Sequence, residues 1–530
     1  MSPLSRRQFL ALSGAASAGV VLAGCGGATP AAVPIEASGP EVAAAEARRR
    51  RLGARLHQVA ISASPLAHDL GGLPVQTWGY NGIVPGPEVR LTAGDVLQAR
   101  FTNNLPEPTT IHWHGLALRN DMDGVPELTQ PLVAPGATFL YEFTAPDPGT
   151  FWFHPHHGLH LDTGLYAPLV IEDPREVGAY DREYTVVLDD WVHGLGQAPE
   201  EILDDLRAGR GAHAAHLEAA AAGGDPGPTS AELASAGGDV VYPLYLVNGR
   251  RPSQPVTFEA RPGERLRLRI INAGSDTPFR VAVGGHQMVV THTDGFPVEP
   301  VRVDSLIIAM AERYDVVVTV SEAGVFPLVA VAEAKANQAV ALIRSGAGAA
   351  PPPDVRPSEL TGRVLHNRDL RAAGDVRLPE GRPDRVYVAE LGGGEEGYVW
   401  TINGAPHGDE PLKVRQGEKV RLVFNNTTTM FHPMHLHGHT FQVVRTDGSP
   451  GPRKDTTIVR PGERVAVDFV ADNPGQWMVH CHNLYHQLGG MMTTVSYVRN
   501  GDGSTTARQR AAAWDRVKFA CGWTGPVSTA

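Results

Sequence analysis

The stretch Gly475-Gln476-Trp477-Met478-Val479-His480-Cys481-His482-Asn483-Leu484-Tyr485-His486, closing with Gly489-Gly490-Met491-Met492, sets metal-ligating side chains at spacings a strand can use. Side chains on a strand alternate faces, so His480 and His482 point one way and Cys481 the other. One short segment can therefore serve two metal centres. On the Cys481 face, His486 and then Met491 complete a thiolate, imidazole and thioether series, which suits a blue-copper centre of two His, one Cys and a weak, long axial Met. The second His is expected from Phe431-His432-Pro433-Met434-His435-Leu436-His437-Gly438, where His432 precedes a further pair, His435 and His437. Two more pairs stand in Ile111-His112-Trp113-His114-Gly115 and Phe153-His154-Pro155-His156. A lone H-x-H among 22 histidines says little, but four pairs, one with a Cys inside it, point to copper.

The elements that must position these residues repeat along the chain. Ala93-Gly94-Asp95 leading to Asn103-Asn104, Pro262-Gly263-Glu264 leading to Ile271-Asn272, and Gln416-Gly417-Glu418 leading to Asn425-Asn426 are one pattern of turn, alternating apolar strand and Asn. His112 follows Asn103 at the distance at which His435 follows Asn426. Pro148-Gly149 likewise precedes His154 as Pro474-Gly475 precedes His480. The first and third repeats are thus copies of one copper-binding module. Carried back by the same offsets, His432 falls on Thr109, Cys481 on Pro155, His486 on His160 and Met491 on Leu165, so the first copy has lost the blue site. The middle repeat has only His286 and His292, read as core or loop histidines, and is expected to act as a spacer. Eight histidines are best used if the end domains pack face to face and share a cluster.

HPMHLHGH with HCHNLYHQLGGMM resembles the C-terminal half of the multicopper oxidase signature, and HWHG with FHPH resembles the other half. The resemblance implies three tandem cupredoxin-like Greek-key β-sandwich domains, an all-β chain. It implies four copper ions: one type 1, one type 2 and a binuclear type 3 pair. His432, Cys481, His486 and Met491 would hold the type 1 ion, and His112 with His435 the type 2 ion. His114, His154 and His482 would hold one type 3 ion, and His156, His437 and His480 the other. Electrons would pass from the Cys481 thiolate through the adjacent backbone into His480 and His482, to reduce dioxygen to water. Asp123, in Asn120-Asp121-Met122-Asp123-Gly124, matches the acid that relatives place near the cluster for proton supply; an Asp before Gly also suits a plain turn. Gln487 departs from the Glu that many relatives carry.

Length and composition frame this. The 530 residues exceed what one core holds, and a formal charge of -11 argues against nucleic acid as a partner. Gly 59 and Pro 43, without helical heptads, read as short strands and turns. Residues 1–24 read as a twin-arginine lipoprotein signal: Ser5-Arg6-Arg7-Gln8-Phe9-Leu10, an apolar run, then Leu22-Ala23-Gly24-Cys25 as a lipobox. Cys25 would carry the lipid, unless it is lost with an ordinary signal peptide. The expected layout is a tether at 25–45, domain 1 at 46–173, domain 2 at 174–345, a linker at 346–385, domain 3 at 386–499 and a tail at 500–530. Arg48 to Arg51 offer a basic run for anionic headgroups or a solvated face, and Cys521 has no assigned role. His213 and His216 lie in an insert at about 195–238.

The donor is less constrained. Substrate-oxidising relatives accept electrons at the exposed edge of a blue-copper His, which directs attention to the surface near His432 and His486. Met430 shares the His432 face and offers a thioether to Cu(I), or simply fills the core; Thr428 stands where some relatives have an acid, so a carboxylate must come from another loop. The ensemble of signal, lipobox and copper motifs looks most like actinobacterial, mycobacterial-type lipoprotein copper oxidases. The expectation is an exported, envelope-anchored monomer that couples Cu(I) oxidation to dioxygen reduction. A laccase-like oxidase of phenols or aromatic amines and a copper-sequestering protein remain open.

Overall fold

The structure, a computed structural model, describes residues 32–176, 180–210, 229–394, 397–408 and 410–500. The expected signal peptide, Cys25, His213, His216 and Cys521 lie outside the described residues. Six sheets form three two-sheet units in sequence. In each unit a strand that enters the domain pairs in parallel with the alternating strand predicted from sequence: Leu56–Asp69 with Val96–Asn103, Arg182–Trp191 with Arg265–Asn272, and Arg385–Gly393 with Lys419–Asn426. Lys419–Asn426 alternates half-buried and buried positions along its whole length, as a strand with one face on a core must.

The asparagine that ends each of these strands does the same work three times. Asn103 Nδ2 donates to the carbonyls of Glu107 and Val133 at 2.8 Å each, Asn272 to Thr277 and Ile308 at 2.9 and 3.0 Å, and Asn426 to Met430 and Val459 at 2.7 and 3.0 Å. Each Oδ1 accepts from the amide two residues on, at Leu105, Gly274 and Thr428. The residue thereby satisfies backbone groups that the strand's end leaves orphaned in the core. A second repeated device is an Asn-Gly turn, at Asn81, Asn248 and Asn403, with φ of 51°, 49° and 57°; Asn tolerates the left-handed region.

Two regions depart from the sequence reading. Residues 32–45 do not form a tether. Ala32–Pro34 pairs antiparallel with the final strand, Met492–Asn500, and Pro40–Arg49 is a helix with proline in its first turn. Glu46 on that helix is buried and accepts from the Thr144 amide and hydroxyl at 2.9 and 2.7 Å. The N-terminal segment therefore straps domain 1 to domain 3. Within the 346–385 connection, Val364–Leu365 adds in parallel to Ser305–Ile308 of the middle domain.

The middle domain is also more than a spacer. Asp315 is buried between Arg267 (2.6 Å) and Arg269 (3.2 Å) and accepts from Thr150 of domain 1 at 2.7 Å. Burial alone would raise its carboxyl, but the two guanidiniums hold it well below the usual carboxylate range. Replacing Asp315 with Asn is expected to cost about 3 kcal/mol by removing the anion that two buried cations share, with Glu176 and Glu183 still paired to Arg267 and Arg269. Because the native pKa is depressed, that stabilisation is full above the unfolded carboxylate value and is lost as pH falls through the folded one. The Tm gap between wild type and D315N should accordingly be constant from neutral pH into the mildly acidic range and close only in stronger acid; a gap that closes near neutrality would refute the assignment.

Candidate copper centre

The H-x-H pairs are placed by antiparallel register. His112 faces His154 across the strands His112–His114 and Gly149–His154, and His435 faces His480 across His432–Leu436 and Gln476–Cys481. Domains 1 and 3 then meet with their imidazoles interleaved: His112 stacks on His437 with centroids 4.0 Å apart, and His114 on His435 at 3.9 Å. Ligand atoms converge in the groups His112-His114-His435, His114-His154-His482 and His156-His437-His480. All eight rings are buried. Burial pushes His114, His154, His156, His437, His480 and His482 well below the ordinary imidazole pKa, and their imidazole neighbours push the same way.

Neutral imidazoles in this arrangement present lone pairs to one another. His437 Nε2 lies 3.0 Å from His480 Nε2, and His156 Nε2 3.5 Å from the same atom. Nε2 of His112, His154, His435 and His482 and Nδ1 of His114 are buried with no hydrogen-bond partner. Buried polar atoms are rarely left so, and a cluster of inward-facing, unpaired nitrogens is what bound copper requires. The opposite nitrogens are held from behind: His112 Nδ1 donates to the Asp123 carbonyl at 2.8 Å, His437 Nδ1 to Asp123 Oδ2 at 2.9 Å, and His480 Nδ1 to the Cys481 carbonyl at 2.9 Å. Such outer contacts fix the tautomer that leaves the inner nitrogen free.

Sequence reasoning missed Asp455. This fully buried carboxylate sits 3.1 Å from His114 Nε2, its carbonyl accepts from His435 Nδ1 at 2.9 Å, and Arg313 of the middle domain grips it at 2.6 and 2.8 Å. Burial would raise the Asp455 carboxyl, yet Arg313 holds it well below the usual range. No periodicity in the chain announces it; only the pairing of Thr456–Val459 with His432–Leu436 brings it beside the histidines.

On the other face of the same strand end, Cys481 Sγ lies 3.6 Å from His432 Nδ1 and 3.5 Å from His486 Nδ1, and the two nitrogens are 3.0 Å apart. The three converge on one point and leave room for an ion. Met491 is buried, with its amide bonded to the His486 carbonyl and its carbonyl to the Cys481 amide, both at 3.0 Å. Burial pushes the Cys481 thiol well up, so metal binding must displace its proton. His432 Nε2 donates to Thr428 Oγ1 and His486 Nε2 to Asp239 Oδ2, each at 2.8 Å. Asp239, from the middle domain, thus places a buried carboxylate on His486. The expected exposed edge is not found: His432 and His486 are both fully buried, and Trp400 packs on them with centroids at 5.2 and 4.1 Å. Met430 is buried as well, and Gln487 lies buried in the turn that carries His486.

Profiles described as multicopper oxidase match residues 65–176, 182–347 and 382–501. The chain is 48% identical over 495 residues to the multicopper oxidase MmcO of Mycobacterium tuberculosis, covering 93% of this chain and 97% of that protein. It is 30% identical to the copper resistance protein A homolog of Pseudomonas syringae pv. tomato, over 78% of this chain and 88% of that protein. Among solved structures, the multi-copper oxidase of Pseudomonas thermotolerans superposes with a TM-score of 0.63 at 29% identity, covering 84% of this chain and all of that one. The laccase of Botrytis aclada shares the fold, with a TM-score of 0.69 at 24% identity over 90% of this chain and 94% of that one. The chain belongs to the multicopper oxidase family. It is a copper-dependent oxidoreductase with dioxygen as acceptor, and its complement is four copper ions, one type 1, one type 2 and a type 3 pair.

Proposed function

We propose that the donor is Cu(I), oxidised in copper detoxification at the cell envelope after export and lipid attachment at Cys25, with His432, Cys481, His486 and Met491 as the type 1 ligands and the eight paired histidines as the ligands of the other three ions. Copper bound there supplies one-electron oxidation of the donor and four-electron reduction of dioxygen to water. The chain supplies the route and the protons. Cys481 is joined covalently to both His480 and His482, and the His480 ring returns a hydrogen bond to the Cys481 carbonyl, so the path from Sγ to the cluster is one residue long. Asp123 touches His437 and His112 at the cluster's edge, where it can hand a proton toward reduced oxygen.

The observation that carries the Cu(I) reading is the Asp239 carboxylate on His486 Nε2. A buried anion on the entry ring attracts a cation and, with Trp400 over both rings, leaves no bare imidazole edge for an aromatic donor to stack on. The thioether of the buried Met430, two residues before His432, suits a soft ion, and the relatives named copper resistance protein A favour the same reading. Oxygen uptake by copper-loaded protein starting at Ala28, with Cu(I) and a phenol as competing donors, tests it. Met430→Ala is expected to lower the Cu(I) rate about tenfold, the scale of losing one supporting contact of a metal site, and to spare the phenol rate. Fast phenol turnover without Cu(I) preference would establish the laccase-like reading instead, and no uptake with either donor would mark a sequestering protein.

A further inference from the structure

Two separate supports of His486 end on one buried carboxylate of the middle domain. Asp276 has no exposure to water, and four donors converge on it. Its Oδ1 accepts from the Asp239 amide at 2.9 Å and from Asn483 Nδ2 at 2.7 Å. Its Oδ2 accepts from the Val240 amide at 2.9 Å and from Lys335 Nζ at 3.1 Å. A carboxylate offers about four lone-pair sites, so this one is saturated. Behind it, the amides of Ser275 and Asp276 donate to the two oxygens of Asp190 at 2.7 and 3.0 Å, which pins the segment to the strand Arg182–Trp191.

Two of these donors belong to groups that hold His486. Asp239 carries the carboxylate that accepts from His486 Nε2, and the Tyr398 hydroxyl donates to the same oxygen. Asn483 caps the short helix Leu484–Leu488, its Oδ1 accepting from the amides of Tyr485 and His486 at 3.1 and 3.2 Å. The carbonyl of Ser275 adds a tie to the same helix, accepting from the Leu484 amide at 2.9 Å. The imidazole is thus fixed at its outer nitrogen and at its backbone through one side chain. The approach requires glycine at 238, where φ is 113° and a Cβ would lie 2.2 Å from Asp276 Oδ2.

We propose that Asp276 is a positioning residue of the type 1 centre, which sets the His486–Asp239 hydrogen bond and through it the balance between Cu2+ and Cu+ there. This rests on His432, Cys481, His486 and Met491 as the type 1 ligands, and not on which donor is oxidised. A carboxylate that receives the outer N–H of a ligand imidazole raises the basicity of the ring, and a more basic ring favours Cu2+. An amide at 276 keeps one acceptor oxygen and turns two N–H groups toward partners that also donate. In either orientation the 239–240 loop loses an anchor, because Oδ1 holds one of its amides and Oδ2 the other.

The test is a redox titration of the blue absorption in the full chain loaded with copper. Asp276→Asn should lower Cu2+ affinity at this centre about tenfold relative to Cu+, which for one electron raises the potential by about 59 mV. Metal analysis should still find four coppers per chain. Asp276→Asn also strands the Lys335 ammonium, so Asp276→Asn with Lys335→Met is the second variant. It removes both charges at once: Tm should recover part of its loss while the raised potential stays. A wild-type potential in the folded single variant, with Tm alone lowered, would show a purely structural role and overturn the proposal. A potential restored in the double variant would assign the shift to the Lys335 charge and overturn it as well. Cys481→Ser separates the ligand assignment from this inference. A blue band that survives Cys481→Ser refutes both; a band lost there, with an unmoved potential in the Asp276 variants, refutes the positioning role alone.

Discussion

Replacing Cys481 with Ser is expected to abolish the blue absorption and donor oxidation together, while the three-ion cluster keeps its copper. Sγ is one of three atoms that converge on the proposed type 1 position, at 3.6 and 3.5 Å from the two Nδ1 atoms. A hydroxyl is a hard donor that stays protonated in a fully buried pocket, so it replaces neither the bond to a soft ion nor the through-bond path. The backbone is untouched. His480 Nδ1 still meets the carbonyl of residue 481 at 2.9 Å, and His435 still faces His480 across the ladder, so the histidine cluster is preserved. Copper content should fall from four ions to three, and oxygen uptake should drop on the order of 10⁴-fold, the scale of removing a member of an obligatory set. Donor oxidation retained in the blue-free variant would refute the electron path.

That prediction was available from sequence because strand geometry has a period of two. The spacing of two read H-C-H as two faces and each H-x-H as one, and it held although His156, His437 and His482 stand just beyond the ends of their strands. The three-fold repeat was legible for a related reason: the asparagine after each alternating strand satisfies the same backbone carbonyls each time, so the fold needs that residue at that place. Asp239 and Asp455 had no such signature. Each is an ordinary acid in a loop or beside a strand, and each acquires meaning from a partner more than a hundred positions away. The supposed tether failed differently. Its alanines and prolines resemble a linker by composition, but Pro40 in a first turn followed by Glu, Ala and Arg is a good helix, and that local signal was there to be used. The strand Ala32–Pro34 before it depends on the final strand of domain 3, which nothing local foretells. The buried edge of His486 belongs to the same class, since Trp400 and Asp239 cover it from two domains.

Asp455→Asn should be the most damaging change that leaves every proposed copper ligand in place. The carboxylate joins three tasks: it receives both Arg313 amino groups, contacts His114 Nε2 and lies 3.4 Å from His435 Nδ1. An amide can keep one acceptor but turns two donors toward a guanidinium and an imidazole that also donate. Arg313 has no exposure to water, so losing its counter-charge is expected to cost about 3–5 kcal/mol. The remaining partners, Asp294 at 3.7 Å and the carbonyls of Thr150 and Ala311, soften that loss without removing it. At the cluster, His114 loses the carboxylate that fixes its tautomer while His435 keeps the backbone carbonyl of residue 455, and copper affinity there should fall about 10- to 100-fold, as for other outer-contact mutations. The two effects separate experimentally. Arg313→Met with Asp455→Asn removes the stranded cation, so Tm should recover part of its loss while copper affinity stays low. Full recovery of both would mean that Asp455 serves the domain interface alone; recovery of neither would mean that its contact with the histidines sets stability as well as metal binding, because the three-domain packing is then held together by the loaded cluster.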